Sequence, residues 1–364
     1  MNILHLLISG NTGGIEVLCK EISILSKKKN VFCFLKEGGS IEKEIRDNGG
    51  TTYVLGSSDK ILFRSTRCRI LNICRNEKID KVVTHNLSPI LWTACRYMHK
   101  TCQIPYIIYV HENFKNINSG TCFIQNFYRK TVFKYASNSA LKIVGISQFV
   151  EKSVLELFPG LSKKTVLNYN GVNEVTTIDL SEQRNNGDKV VLIFIGRLVK
   201  DKGVDVLIDA LSLLKNSIDF NCNIIGDGPE KESLQRKVSN YGLSNQVFFR
   251  GHQRNVNNWH EKSDIFVHPA RCEEGFGISI VEAMASGLPC ISVNKGAIGE
   301  IITDGWNGYI VENLNMEELA GAIVKAINAI KYDHDLWAQM KSNSRTTASV
   351  FCIKKTVEQF DNIT

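Results

Sequence analysis

Between Pro269 and Pro289 the chain places two carboxylates, Glu274 and Glu282, on either side of a glycine-bracketed phenylalanine, Gly275-Phe276-Gly277. Gly275 and Gly277 let backbone N–H groups come close to a ligand, and the free N–H groups that open a following helix suit an anion such as a diphosphate. A carboxylate beside a phosphate is repelled. Each glutamate therefore reads better as an acceptor for neutral hydroxyls, one set on a sugar and the other on a ribose. Eight helical positions span on the order of 12 Å, which suits the two ends of a nucleotide diphosphosugar. The competing reading is an amphipathic helix between two strands, stopped by Gly287 and Pro289, whose glutamates are merely solvated.

A second constellation follows an apolar run in the same half: Gly196-Arg197-Leu198-Val199-Lys200-Asp201-Lys202-Gly203. Arg197 and Lys202 leave a strand end and approach a helix start, where a guanidinium and an ammonium can neutralise a diphosphate leaving group without a metal ion. The alternative is a solvated basic turn. Gly226-Asp227-Gly228-Pro229 reads as a tight turn between strand and helix, with no chemistry of its own. Nothing in the chain suggests a hydrolase triad, a zinc cluster or a Walker loop. Asp333-His334-Asp335 follows a helical run and reads as a solvated cap, not a metal site.

These segments resemble the motifs of the family-4, group 1 retaining glycosyltransferases. The resemblance rests on Glu274-Gly275-Phe276-Gly277 with Glu282-Ala283-Met284, on Gly196-Arg197 with Lys202-Gly203, on Gly13-Gly14-Ile15-Glu16, on Tyr109-Val110-His111, and on Phe249-Arg250-Gly251-His252. It covers nearly the whole chain, most densely from Gly196 to Val311. It implies the GT-B fold, an α/β architecture of two Rossmann-like domains facing each other across a cleft. It also implies transfer of a sugar from a nucleotide diphosphate donor, preferably UDP-linked, with retention of configuration. The acceptor would be a glycan or lipid-linked saccharide, as in bacterial surface polysaccharide synthesis. Catalytic roles then fall to His111 near the anomeric centre, to Arg197 and Lys202 on the departing diphosphate, and to Glu274 on the donor sugar. Further donor contacts fall to Gly13, Gly14, His252, Gly275, Phe276, Gly277 and, through the ribose, Glu282. No cofactor and no metal ion is expected. Gly296-Ala297-Ile298-Gly299-Glu300 resembles the family's loop that offers N–H groups to the donor sugar. Lys295 and Gly299 stand where glycine and proline are usual, a departure that predicts a more flexible loop.

Positioning these residues takes two cores, since 364 residues exceed what one usually supports. Short β-rich runs alternate with helical patterns, as in βαβ units feeding parallel sheets. The expected strands of the first half are Ile3–Ile8, Val31–Leu35, Thr52–Leu55, Lys81–Thr84, Tyr106–Val110 and Lys142–Ile146. Those of the second are Val190–Ile195, Asn223–Ile225, Val247–Phe249, Ile265–Val267, Cys290–Val293 and Tyr309–Val311. The domain reading is an acceptor-side domain over 1–172, a polar linker over 173–188, a nucleotide-sugar domain over 189–345, and a helix over 346–364 that returns to the first domain.

The composition, 43% hydrophobic and 22% charged, is that of a water-soluble globular protein, and no apolar run reaches the 18 or so residues of a membrane span. The 11 cysteines are scattered and free of C-x-x-C pairs, which points to a reducing cytoplasm. The net charge of +7 is uneven: residues up to Leu180 carry 24 Lys and Arg against 14 Asp and Glu, the remainder 20 against 23. An anionic partner for the first half follows, nucleic acid or membrane surface, with a solvated surface as the alternative. Two segments mix basic and apolar residues. One holds Lys60, Arg64, Arg67, Arg69 and Arg75 with Ile61, Leu62, Phe63, Ile70 and Leu71; the other, Phe114 to Tyr135, interleaves Phe123, Phe127, Tyr128 and Phe133 with Arg129, Lys130 and Lys134. Such segments suit peripheral contact with the anionic inner face of a membrane, not nucleic acid. Rival functions are a nucleotide-sugar epimerase of the same fold and a catalytically silent sugar-nucleotide-binding subunit.

Overall fold

The computed structural model describes residues 1–57, 64–114, 123–175, 189–253 and 255–364, without the side chains of Arg64, Phe123 and Ile124. The chain divides into two compact units, Met1–Gly171 with Ile353–Thr364, and Val172–Cys352. The expected linker falls mostly outside the described residues, as do Lys60 to Phe63.

The first unit alternates strand and helix. Its elements are β1 (Asn2–Ser9), α1 (Gly14–Leu25), β2 (Lys29–Glu37), α2 (Ser40–Asp47), β3 (Thr51–Val54), α3 (Arg64–Asn76), β4 (Lys81–Thr84), α4 (Pro89–Cys102), β5 (Tyr106–Val110), α5 (Phe123–Ser137), β6 (Lys142–Gly145), α6 (Gln148–Leu157) and β7 (Thr165–Leu167). The strands form one parallel sheet in the order β3-β2-β1-β4-β5-β6-β7. Buried on both faces, β5 is wholly apolar, Tyr-Ile-Ile-Tyr-Val, as a central parallel strand must be. β7 was not legible: three residues between Lys163-Lys164 and Asn168 carry no period.

The second unit repeats the plan with β8 (Val190–Ile195), α7 (Val204–Leu214), β9 (Phe220–Ile225), α8 (Lys231–Asn240), β10 (Val247–Gly251), α9 (Asn257–His260), β11 (Ile265–His268), α10 (Ile278–Ala285), β12 (Cys290–Val293), β13 (Gly308–Val311), α11 (Met316–Tyr332) and α12 (His334–Val350). Its sheet order is β10-β9-β8-β11-β12-β13, all parallel. The i, i+3, i+4, i+7 stripe Leu207, Ala210, Leu211, Leu214 is buried in this core. Asp333 caps α12 by accepting from the Leu336 N–H at 3.1 Å.

The last helix, α13 (Ile353–Ile363), belongs to the first unit. The sequence boundary at 346 is thus corrected to Ile353, because α12 continues to Val350 with Met340, Ser344 and Ala348 buried in the second unit. Gly171 makes the return possible: a Cβ there would lie 2.7 Å from the Ile353 backbone. Asp361 then accepts from the Ser26 hydroxyl (2.6 Å) and the Lys27 N–H (2.9 Å).

Turns at the strand ends of the second sheet pack backbone against backbone. Gly226 has φ +137°, and a Cβ on it would sit 1.9 Å from the Gly196 carbonyl oxygen. Gly242, at φ +67° beyond α8, meets only the Lys215 ammonium at 3.9 Å. Gly226→Ala should therefore destabilise the second unit by at least about 3 kcal/mol, against about 1–2 kcal/mol of left-handed strain for Gly242→Ala. Urea unfolding followed through Trp259, Trp306 and Trp337 checks this; equal midpoints would refute the backbone-contact argument.

Candidate donor site of the second unit

β8 and β11 pair side by side at the point where the strand order changes direction, and in open α/β sheets a crevice forms beyond the strand ends there. Arg197 and Lys202 follow β8, whereas Glu274 follows β11. Gly203, at φ +67°, closes the β8 turn; its missing Cβ would come 1.9 Å from the Pro269 carbonyl oxygen. The Arg271 N–H donates to the Asp201 carbonyl at 2.7 Å. The Arg271 guanidinium grips Asp205 with two bonds of 2.5 and 2.6 Å and reaches the Lys200 carbonyl at 2.8 Å. That bidentate fork fastens the glutamate loop to the basic turn.

The result joins the two sequence constellations. The Lys202 ammonium donates to Glu274 Oε1, and His268 Nε2 lies 3.4 Å from the same oxygen. The His268 ring is in turn held by Ser292, with Nδ1 3.4 Å from its hydroxyl. Burial pushes the Glu274 carboxyl up, but hydrogen bonding and charge from His268 and Lys202 outweigh it and hold it down at about 2. Glu282 is the reverse case. It lies on α10, half-buried, and no group among the described residues donates to it. Burial alone pushes it up to about 7.

Several expectations need correction. Glu274 is not on the helix; it forms a parallel bridge with Gly296, and α10 starts only at Ile278, so the helical 12 Å span does not apply. Phe276 is 2% exposed and packs edge-on against Phe351 at 5.2 Å. Gly277 caps α10 in the left-handed region, φ +103°. The loop after β12 is not loosened by Lys295 and Gly299. Gly296 presses on the Glu274 backbone, the Ala297 N–H donates to the Glu274 carbonyl at 2.9 Å, and Lys295 reaches the Arg271 carbonyl at 2.8 Å. Gly299 lies in a short 3-10 turn and adopts no glycine-only conformation.

Arg197 is exposed, and its guanidinium has no ion-pair or hydrogen-bond partner among the described residues. His252 is exposed at the end of edge strand β10, separated from β8 by β9. In the first unit, Gly13 caps α1 and Gly14 opens it, with Glu16 folded so close that a Cβ on Gly13 would lie 2.4 Å from its carboxylate. His111 follows β5, 7% exposed, and burial pushes its ring down to about 3. His268 and Arg271 escaped the sequence reading; the one signal was a histidine ending an apolar run directly before Pro269.

The two glutamates should give opposite pH signatures. Glu274 titrates below its unfolded value of 4.5, so its contribution is present above pH 4.5 and lost as pH falls toward 2. Glu282 titrates above its unfolded value, so the fold weakens as pH rises from 4.5 through about 7. Relative to wild type, Glu282→Gln should gain melting temperature between pH 5 and 8, whereas Glu274→Gln should lose least at pH 3. Melting curves that shift in parallel at all pH values would contradict both assignments.

Residues 12–175 match the family model described as Glycosyltransferase Family 4, and residues 176–346 the model described as Glycosyl transferases group 1. An uncharacterized glycosyltransferase of Methanocaldococcus jannaschii is 31% identical over 295 residues, 79% of this chain and 75% of the relative. Among solved structures, Anabaena HepE in complex with UDP superimposes with a TM-score of 0.83 at 20% identity, covering 100% of this chain and 99% of that one. WaaG, a glycosyltransferase involved in lipopolysaccharide biosynthesis, does so with 0.73 at 15% identity over 99% of both chains. The chain belongs to the family-4, group 1 glycosyltransferases and has their GT-B fold.

Proposed function

We propose that this enzyme transfers a sugar from a UDP-sugar, with retention of configuration, to a glycan or lipid-linked saccharide acceptor in surface polysaccharide synthesis. One observation carries the reading. Glu282 is a half-buried carboxylate to which no group among the described residues donates, on the helix that follows Glu274 of the Lys202–Glu274 pair at the strand-order switch. A nucleoside's two ribose hydroxyls would supply the missing donors and offset its burial. Arg197, exposed and unpaired among the described residues, and Lys202 then stabilise the departing diphosphate, with the N–H groups opening α10. Glu274 receives donor-sugar hydroxyls, and His111 serves as a neutral ring in the reaction. The UDP complex of the structurally similar HepE supports the choice of base, and the pathway in which WaaG acts supports the acceptor class.

A panel of nucleotide sugars with acceptor oligosaccharides tests this, with the anomer of the product read by NMR. Release of a chemically altered but untransferred nucleotide sugar would identify an epimerase, and no turnover of any donor a silent binding subunit. Arg197→Ala should slow turnover by about 100- to 1000-fold, with a smaller effect on KM, as for loss of one preorganised charge contact. Activity should survive a chelator; loss with chelator and recovery with a divalent ion would overturn the metal-independent mechanism. Glu282→Ala should weaken binding of free UDP by about 1.5–3 kcal/mol per lost charged hydrogen bond, read by calorimetry.

Peripheral membrane contact is proposed for one face of α5. Phe127 (66% exposed) and Tyr128 (56%) share this face with Lys134 and Tyr135, and Arg96 of α4 lies 3.7 Å over the Tyr135 ring. Of the expected apolar residues, Ile70, Leu71 and Phe133 are buried. Phe127→Ser with Tyr128→Ser should abolish flotation with vesicles rich in anionic lipid at 0.1 M salt. Flotation unaffected by both lipid charge and the double substitution would assign the basic surface to solvent.

A further inference from the structure

Three imidazoles form an unbroken line through the core of the first unit. His5 on β1, His85 just past β4 and His111 just past β5 sit on adjacent strands. His5 Nε2 lies 3.0 Å from Asn30 Oδ1, and His5 Nδ1 2.8 Å from His85 Nε2. His85 Nδ1 lies 3.3 Å from His111 Nε2, and His111 Nδ1, buried, has no hydrogen-bond partner among the described residues. The His5 ring is stacked between Phe32 (4.6 Å) and Phe360 (5.4 Å), and Tyr109 flanks the other two.

Hydrogen-bond accounting gives this line a direction. The Asn30 amide nitrogen donates to the Lys28 carbonyl at 3.0 Å, which turns Asn30 Oδ1, an acceptor, toward His5. His5 must then carry its proton on Nε2, so its Nδ1 is bare and accepts from His85 Nε2–H. His85 Nδ1, bare in turn, accepts from His111 Nε2–H. The last lone pair is therefore on His111 Nδ1. The opposite direction would require Asn30 to flip and set its oxygen against the Lys28 carbonyl oxygen. Burial lowers all three rings, His5 to about 4 and His111 to about 3, so none carries a charge at neutral pH. The thiol of Cys19 also lies near the first two rings, and the three groups could be taken for metal ligands. The 2.8 Å separation is instead that of a hydrogen bond; two nitrogens on one tetrahedral zinc stand roughly 3.3 Å apart.

We propose that Asn30, His5 and His85 are positioning residues that lock His111 in its Nε2–H tautomer and hold its Nδ1 lone pair as an acceptor for a substrate hydroxyl. The inference rests on the participation of His111 in the reaction, as read above, and adds what determines its form. An acceptor-only nitrogen takes an O–H and refuses a phosphate oxygen, so the chain makes His111 selective for the hydroxyl-bearing part of its ligand.

Nitrogen-15 spectra of ring-labelled protein at pH 7, with assignments from single histidine variants, test the tautomers without perturbing the wild type. The expected result is a protonated Nε2 and a bare Nδ1 on all three rings. A protonated Nδ1 on His111, or ring nitrogens bonded to zinc found in the protein, would overturn the proposal. His85→Leu should shift His111 toward the other tautomer and lower kcat by roughly 10- to 100-fold, the loss seen when the orienting partner of a functional histidine is removed. His85→Gln, which can both donate and accept, should recover part of it, with the affinity for free UDP unchanged in both. If His111→Ala is inactive while His85→Leu alters the tautomer without slowing turnover, the positioning role fails and the role of His111 stands. If His111→Ala turns over normally, the role of His111 itself fails.

Discussion

The site depends on one steric condition: main chain must lie on main chain where the strand ends converge. At Gly203 against Pro269, Gly226 against Gly196 and Gly296 against Glu274, a single methyl group would intrude to between 1.9 and 2.2 Å of a carbonyl oxygen. Only when those turns close does Arg271 reach across to Asp205, and only then do Lys202 and Glu274, distant in sequence, share one charge cluster. Two glycines in the first unit obey the same rule: a Cβ on Gly39 would strike the Gly10–Asn11 backbone at 2.6 Å.

Within that frame, identical residue types take opposite electrostatic roles. Glu274 is surrounded by cationic and hydrogen-bonding groups and stays ionised, whereas Glu282, no less desolvated, has nothing among the described residues to balance its charge. A carboxylate already paired tolerates neighbouring phosphate, because Lys202 screens it. An unpaired one is relieved by taking up a proton, which is what the rise to about 7 expresses, or by accepting from hydroxyl donors.

The architecture was largely legible because parallel strands buried on both faces write themselves as apolar runs, and every expected strand is present. β7 is the exception, too short and too polar at its flanks. Of the candidate residues, Glu274, Arg197 and Lys202 could be singled out by their glycine neighbours, and Glu282 by its spacing from Glu274 and its Ala-Met context. The burial of the Phe276 ring was not legible: spacing tells that a phenylalanine stands between glycines, not which way its ring turns. His268, His5 and His85 had no local signature at all. A lone histidine in an apolar strand gains meaning only from its neighbours, and those are set by the order β1-β4-β5 or β8-β11-β12, which local periodicity does not encode.

The return of α13 to the first unit has a consequence for the order of assembly. Domains commonly fold as they leave the ribosome, the amino-terminal one first. Here the first unit lacks Phe360, which stacks on His5, and the Thr356 carbonyl, which receives the Asn168 amide at 3.2 Å, until α13 has been synthesised. The second unit is contiguous in sequence and can complete itself earlier. His5 thus gains its Phe360 neighbour only after the whole second unit has been translated, and a nascent chain short of α13 leaves that side of the histidine line uncovered.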